Sequence, residues 1–593
     1  MNSKTTSLWF VLALALFAFI WGFEKYLQPA APVVASLFPG LRVADVTAFQ
    51  VSPNGAREIS VVRTNGGWVL QKPLAYPAQA AAIEALATAL EKLIPATRLT
   101  AAEMREHNNT DAELGFDNPQ FSLGIEARGQ RRQLVIGKKT APGDQVFLRV
   151  VGVDGVFVVD AAWLALLPRS ANDWRDTALV DAAGACDWII VTNGNKTMEF
   201  RHDTTNQLWR MIRPLQARAD GVRLAAAFQQ LRAGSVAQFI TDDPRADLSS
   251  YGLQPAELDI WLGHGTNFDA AIHVGKNLPT NSAQLYARRE GWNTVVAADK
   301  DVFASWRGAV NDFRDTHLVT TTAPVTEIEV RGENHFILQQ TGSNAWTVAG
   351  EKFSADSENV AAFLKLLANL RVAEFVKDVV TGPDLQGFGL TTPTREITLR
   401  GKAGDTNAVL AQLLFGASET NRIFVKRGDE DFVYALKLDE MARMPENGWE
   451  FRNRRVWSFS ETNVAQVTLR QGGKTRVLTR TGDEKWSLAA GQGIINPPAI
   501  EETMHRLGEL TAAGWVGRNI TEPEKYGLDK GNLSITIDLK TGEKWVLDFG
   551  TEIPQGQTAL AAVTLEGERW AFVFPPVLYQ FVATYLTIPA NTP

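Results

Sequence analysis

Four tryptophans, Trp68, Trp209, Trp346 and Trp486, stand 141, 137 and 140 residues apart, and the same succession of short motifs follows each of them. A period of that length is the size of a domain, so the chain must build several copies of one fold rather than one large core. Each Trp lies in a short strand pattern. About ten residues later come AAAIEALATALEKLIPATRL, DGVRLAAAFQQLRAGSVAQFI, DSENVAAFLKLLANLRVAEFV and PAIEETMHRLGELTAAGWV, which read as helices. In the third, Val360, Phe363, Leu364, Leu367 and Leu370 recur at three- and four-residue steps and form one buried stripe. Asp220 and Asp356 are placed as N-caps, and Asn496 precedes Pro497, which suits a first helical position.

A second marker follows each helix: Leu114-Gly115-Phe116, Tyr251-Gly252-Leu253, Phe388-Gly389-Leu390 and Tyr526-Gly527-Leu528, with glycines 137, 137 and 138 residues apart. A Pro follows in the first three copies, and Gly then Pro is a fixed turn. Leu123, Ile260, Ile397 and Ile535 then sit inside alternating strands, which predicts a sheet with one apolar face against the helix. The third marker is a strand ending in glycine, at Gly137, Gly275, Gly416 and Gly550, followed by two further strands and a short helix. Three copies close on a tetrad: Asp173-Trp174-Arg175-Asp176, Asp312-Phe313-Arg314-Asp315 and Glu450-Phe451-Arg452-Asn453. The fourth lacks it. A catalytic tetrad would leave that copy dead, whereas a fastener between modules is not needed on a terminal cap. The tetrad is therefore expected to be an inter-module junction, with Arg paired to a carboxylate and the aromatic ring filling the seam.

Leu8 to Phe23 is an apolar run free of charge, preceded by Lys4, flanked by Trp9 and Trp21, and closed by Glu24-Lys25. Extended to Leu27 it is long enough to span a bilayer, with the N-terminus inside. A cleaved signal peptide is the rival, with Val33-Val34-Ala35 as its cleavage site, but that site lies far beyond the run. The expectation is a retained anchor in the inner (cytoplasmic) membrane, an Ala/Pro-rich tether, and an extracytoplasmic, periplasmic bulk.

This order of motifs, from about residue 42 to 588, resembles the bacterial family catalogued as domain of unknown function 4340 (DUF4340). The resemblance implies an N-terminally anchored extracytoplasmic protein, a companion of ABC-type export systems and gliding-motility auxiliary proteins. It supplies no catalytic residues. The expected organisation is an anchor at 1–27, a linker at 28–41, and repeats at 42–176, 177–316, 317–457 and 458–588, the last a terminal cap. The fold class is α+β: a tandem repeat of about four modules after a transmembrane helix, each a mainly antiparallel sheet packed with one long and one short helix.

Function classes narrow from here. With 59 basic and 66 acidic residues interspersed, the chain has no basic stripe for nucleic acid. Cys186 is the only cysteine, so no intramolecular disulfide or paired-Cys zinc site can form, and it reads as a small half-buried core residue. The seven histidines share no repeat position and no metal-ligand spacing. Gly137-Lys138 and Gly275-Lys276 lack the upstream glycine and the Ser/Thr of a phosphate loop and read as β-turns. Gly263-His264-Gly265 and Gly491-Gln492-Gly493 read as hairpin turns. Asp173/Asp176 and Asp312/Asp315 are the best acid/base candidates, yet their neighbouring arginines would hold both carboxylates ionised.

Trp68, Trp209, Trp346 and Trp486 are expected in the cores; Trp261, Trp292, Trp515, Trp545 and Trp570 are the candidates for an exposed face that meets glycan or a partner, although most of them are expected to be packed. The expectation is a non-enzymatic scaffold or accessory subunit of an ABC-type export or envelope complex, without cofactor, metal or nucleic acid. A peptide- or polysaccharide-binding envelope protein and a hydrolase are the alternatives.

Overall fold

The computed structural model describes residues 3–22 and 36–587, apart from 55, 107–109, 142, 181–183, 185, 206, 322, 404–405, 489–493, 530–532 and 551–558. The expected tether, the Val33-Val34-Ala35 site and the Gly491-Gln492-Gly493 turn fall outside the described residues. The chain divides into two compact units, Met1–Phe313 and Arg314–Pro593. Each unit holds two antiparallel sheets, of nine and nine strands in the first and nine and eight in the second.

Across the first sheet the strands run Tyr76–Pro77, Gly67–Lys72, Ile59–Thr64, Val46–Pro53, Phe121–Ala127, Gln130–Lys139, Gln145–Val150, Val156–Asp160 and Pro95–Leu99. The other three sheets repeat this order, the fourth without the short first strand among the described residues. The helix Ala80–Glu91 leaves one edge of the sheet and delivers the chain to the opposite edge. Its Ile83, Leu86, Ala87 and Leu90 are fully buried, joining Phe49, Val61, Leu70 and Leu123 from the strands. Burial of each large aliphatic side chain contributes roughly 1.5–3 kcal/mol, which fixes the helix to the apolar face. The predicted caps are present: Asp220 accepts from Arg223 N, Asp356 from Glu358 N and Asn359 N, and Asn496 from Ala499 N.

Three expectations need correction. The helical segments stop early, at Glu91, Ala233, Ala368 and Gly508, and their tails are strands, Pro95–Leu99, Val236–Thr241, Glu374–Lys377 and Gly514–Arg518. Pro95 and Gly234 help to halt two of them, and each tail hydrogen-bonds the last strand of its sheet, whose backbone would otherwise lie open. The strands expected to end on Gly137, Gly275 and Gly416 run on to Lys139, Asn277 and Glu419 through a bulge. The short closing helix follows the last strand pair in each copy, but it is a 3-10 turn in the first and third (Ala162–Leu166 and Leu438–Arg443) and α-helical in the second and fourth (Asp301–Ala304 and Pro576–Phe581), and the first and third copies carry further short α-helices after the edge strand.

The recurring glycines explain one another. Gly115 has φ +82°, and a Cβ on Gly137 would lie 2.2 Å from Leu114 O, the carbonyl beside that turn. The same approach joins Gly275 to Tyr251 O, Gly416 to Phe388 O and Gly550 to Tyr526 O. Gly252, Gly389 and Gly527 share the positive φ. Turn and bulge are thus one contact, which the false phosphate-loop motif encodes.

Ser3–Gly22 is a 20-residue helix. Its described side chains extend only from Trp9 to Trp21 and are exposed. Among the described residues no helix is long and apolar enough to cross a membrane.

Candidate inter-module junctions

Each residue of the closing tetrad has a separate task. Asp173 accepts from Arg169 N (2.7 Å) and Ser170 N (2.8 Å), closing the turn before it. Asp312 does this for Ala309 N, and Glu450 for Glu446 N and Asn447 N. The fourth residue accepts from the amide two positions on: Asp176 from Ala178 N, Asp315 from His317 N, Asn453 from Arg455 N. An Asn can fill that place in the third copy because the turn itself requires only an oxygen. Asp173 and Asp176, like Asp312 and Asp315, are thus each engaged with separate backbone amides.

The aromatic residue does not fill a seam, as expected from the sequence, but enters its own module's core. Trp174 packs on Phe49 (6.3 Å between centroids), Phe313 on Phe200 (5.4 Å), and Phe451 on Phe336 and Phe363 (5.9 and 5.6 Å). The aromatic residue closes a short helical turn and the next residue opens the bridge that follows, so the next side chain leaves in another direction. That side chain is the arginine.

In the first unit Arg175 is 1% exposed. It donates to both carboxylate oxygens of Asp242 (3.1 and 2.7 Å) and to Thr294 Oγ1 (3.0 Å). Its guanidinium lies 4.1 Å from the Tyr76 ring and 3.8 Å from the Phe239 ring. Tyr76 belongs to the first sheet and Phe239 to the second. Phe239 packs against both cores. Arg289 returns from the second sheet to Asp176 (3.0 Å) and to the Tyr76 ring. The connecting backbone pairs on both sides: Gln79 N donates to Trp174 O, Asp176 N to Pro77 O, and Val236 N to Thr177 O. A bidentate, ring-stacked arginine offsets much of the cost of burying its charge.

The second unit repeats the arrangement with substitutions. Arg314, 2% exposed, donates to Asp378 (2.6 Å) and lies over Phe375 (4.0 Å) and Phe432 (4.7 Å). Arg452 reaches Glu566 (3.3 and 3.2 Å) and lies over Trp570, Phe353 and Trp515 at 4.5, 5.0 and 5.5 Å. The place of Asp242 and Asp378 is taken here by Arg518, which pairs with Glu568 and Glu351. Those two hydrogen bonds hold its pKa above the ordinary arginine range, and Arg518 holds Glu568 below the carboxylate range. Spacing was the signal for the receiving aromatics: Phe239, Phe375 and Trp515 follow their arginines by 64, 61 and 63 residues.

Trp68, Trp346 and Trp486 are buried as expected, but Trp209 is only half-buried, beside His202 (5.2 Å). Of the unmatched tryptophans, Trp515 and Trp570 are buried at the Arg452 junction and Trp292 is half-buried against Tyr76. Trp545 packs at a tilt on Trp457 (5.2 Å between centroids), and Trp261 is half-buried near Phe268. Cys186 is half-buried, and burial pushes its thiol pKa up. His273 lies between Asp259 (2.5 Å) and Glu290 (2.6 Å). Among the described residues no group of three or more His, Cys, Asp or Glu is placed to hold a metal ion.

Fold and junctions together define a tandem repeat protein of antiparallel sheets, each with a crossing helix. The profile of the domain of unknown function DUF4340 matches it three times, over residues 68–205, 209–351 and 346–531, and the chain belongs to that family. Each match begins at or beside a repeat tryptophan and runs past the tetrad, so the family's unit is offset from the sheet. No curated protein and no solved structure matches the chain.

Proposed function

We propose that the chain is a non-enzymatic, membrane-anchored extracytoplasmic repeat protein that serves as scaffold or accessory subunit of an ABC-type export or gliding-motility-like envelope complex. The observation that carries this reading is the commitment of its most chemistry-like residues to holding modules together. Arg175 and Arg452 are buried against carboxylates and rings of the next module, and Asp173 and Glu450 cap backbone amides. An array stabilised by neighbour contacts presents extended surface to partners. The apolar run Leu8 to Phe23, with Lys4 before it, supports an anchor in the inner membrane with the bulk in the periplasm.

Extraction from native membranes in mild detergent, followed by light scattering and mass spectrometry, tests the scaffold role. Co-migration with envelope proteins is expected; an unaccompanied monomer would sink it. The anchor is tested separately by alkaline carbonate washing, which should leave the protein in the membrane pellet. The hydrolase and polysaccharide readings have no comparable observation in their favour.

A further inference from the structure

Side chains alternate across a strand, so the second sheet has an inner face on its helix and an outer face away from it. Ile189, Val191, Ile260 and Leu262 take the inner face and are buried in the module's core. Their neighbours Trp188, Ile190 and Trp261, on strands Trp188–Asn193 and Leu258–His264, therefore point outward, and each is half-buried. Phe268, on the next strand, is 49% exposed and lies 5.6 Å from Trp261. Trp188 pairs with Gly263 across the strands, and a Cβ on that glycine would lie 2.2 Å from both the indole and the Asn267 carbonyl. The Trp188 ring thus lies across a residue without a side chain, close against the sheet.

The fold does not demand these rings. In the other copies the paired places of Ile190 and Trp261 are held by Gln50 and Gly124, Glu329 and Thr398, and Thr468 and Thr536. The charges beside the rings are matched among themselves. Arg201 lies 5.5 Å over Trp188 and pairs with Glu199, and His273 meets Trp261 edge-on at 5.8 Å, held between Asp259 and Glu290. No block of one sign is left there to draw a charged ligand. The rings expose on the order of a few hundred Å2, against roughly 800 Å2 per partner in a stable protein interface, and a protein laid over the ion pairs beside them would have to desolvate them. A sugar meets neither obstacle, because it stacks on a ring face and offers hydroxyls to charged groups that stay wet.

We propose that the outer face of the second module binds a neutral glycan of β-linked pyranose rings. The C–H faces of the sugar stack on Trp188 and Trp261, while its hydroxyls accept from Arg201 and donate to Glu290, both exposed. The two tryptophans stand diagonally on neighbouring strands, about 7–8 Å apart, so one short oligosaccharide reaches both. The site goes beyond the scaffold role and does not rest on it: a ligand platform on one module leaves the task of the array untouched.

The test titrates the purified full chain, in a detergent without a sugar headgroup, with cellohexaose and with fully N-acetylated chitohexaose by isothermal calorimetry. At least one should bind with a Kd below about 1 mM. Trp188→Ala and Trp261→Ala should each weaken it about tenfold or more. Trp209→Phe, on the helix face of the same module, should leave it unchanged. Trp261→Phe keeps a smaller ring and should lose less than Trp261→Ala, which preserves the test if an alanine variant fails to fold. Binding of neither glycan overturns the proposal, as does an equal loss in Trp209→Phe. Capture of an envelope protein by a photo-crosslinking residue in place of Ile190, with both glycans failing, would assign the face to a protein and overturn it as well.

Discussion

At the scale of single residues, Gly137 and Gly129 separate two reasons for glycine. Gly129 has φ +72° and open space around it, so Gly129→Ala adds only backbone strain, about 1 kcal/mol. Gly137 is constrained by the Leu114 carbonyl at 2.2 Å from an added Cβ, and Gly137→Ala should cost about 3 kcal/mol in urea denaturation. Arg175 allows a similar contrast. Arg175→Ala removes the ring contacts and both bonds to Asp242, for a loss of about 3 kcal/mol. Arg175→Met keeps a chain between the rings, and Asp242, 38% exposed, can turn to water, so about 1 kcal/mol is expected. Equal losses would mean that the charge, not the stacking, holds the contact.

His273 gives a pH dependence with a definite sign. The Asp259 carboxylate raises its pKa above the ordinary 6.5 against the opposing effect of burial, and Glu290 adds to the rise. Arg288 opposes it weakly. The folded state therefore holds the proton more tightly than the unfolded chain. The resulting stability is fully present below 6.5 and is lost as pH climbs through the raised folded value. Urea midpoints measured at about pH 6 and about pH 9 should fall less between the two in His273→Gln than in the parent.

At the scale of elements, the helix caps are local and their cost is predictable. Asn496→Ala deletes the bond to Ala499 N and should cost about 1 kcal/mol. Much at this scale was legible in the sequence: Trp strands, capped helices, turn glycines and closing hairpins follow from spacing and turn chemistry within a few residues. What was not legible depended on distant partners. The tail of each helical segment is apolar enough for either state, and only the unpaired edge of a sheet assembled from residues some 60 positions away makes it a strand. The tetrad could be read as a junction, but the sequence does not say that Trp174 faces back and Arg175 forward. Trp515 and Trp570 had no repeat position to place them, because their partner, Arg452, belongs to the preceding copy.

At the scale of the molecule, cooperativity between modules should rest on a few buried contacts. In the first unit, Arg175 and Arg289 clasp Tyr76 between two sheets. Loss of both, in Arg175→Ala with Arg289→Ala, should add a separate low-temperature transition in calorimetry of the full chain. A single shifted transition would instead place the coupling in the backbone pairs at Thr177 and Pro77.

The offset between the family's unit and the sheet has a further consequence. Read from tryptophan to tryptophan, the second and third periods each carry an eye, the aromatic of the edge strand with the acid just after it, and a hook, the arginine that enters the next copy. Phe239 with Asp242 and Phe375 with Asp378 are interchangeable eyes for the same hook. A gene that gained a second copy of either period, or lost the second, should still encode a matched fastening at the new join, with no side chain there having to change.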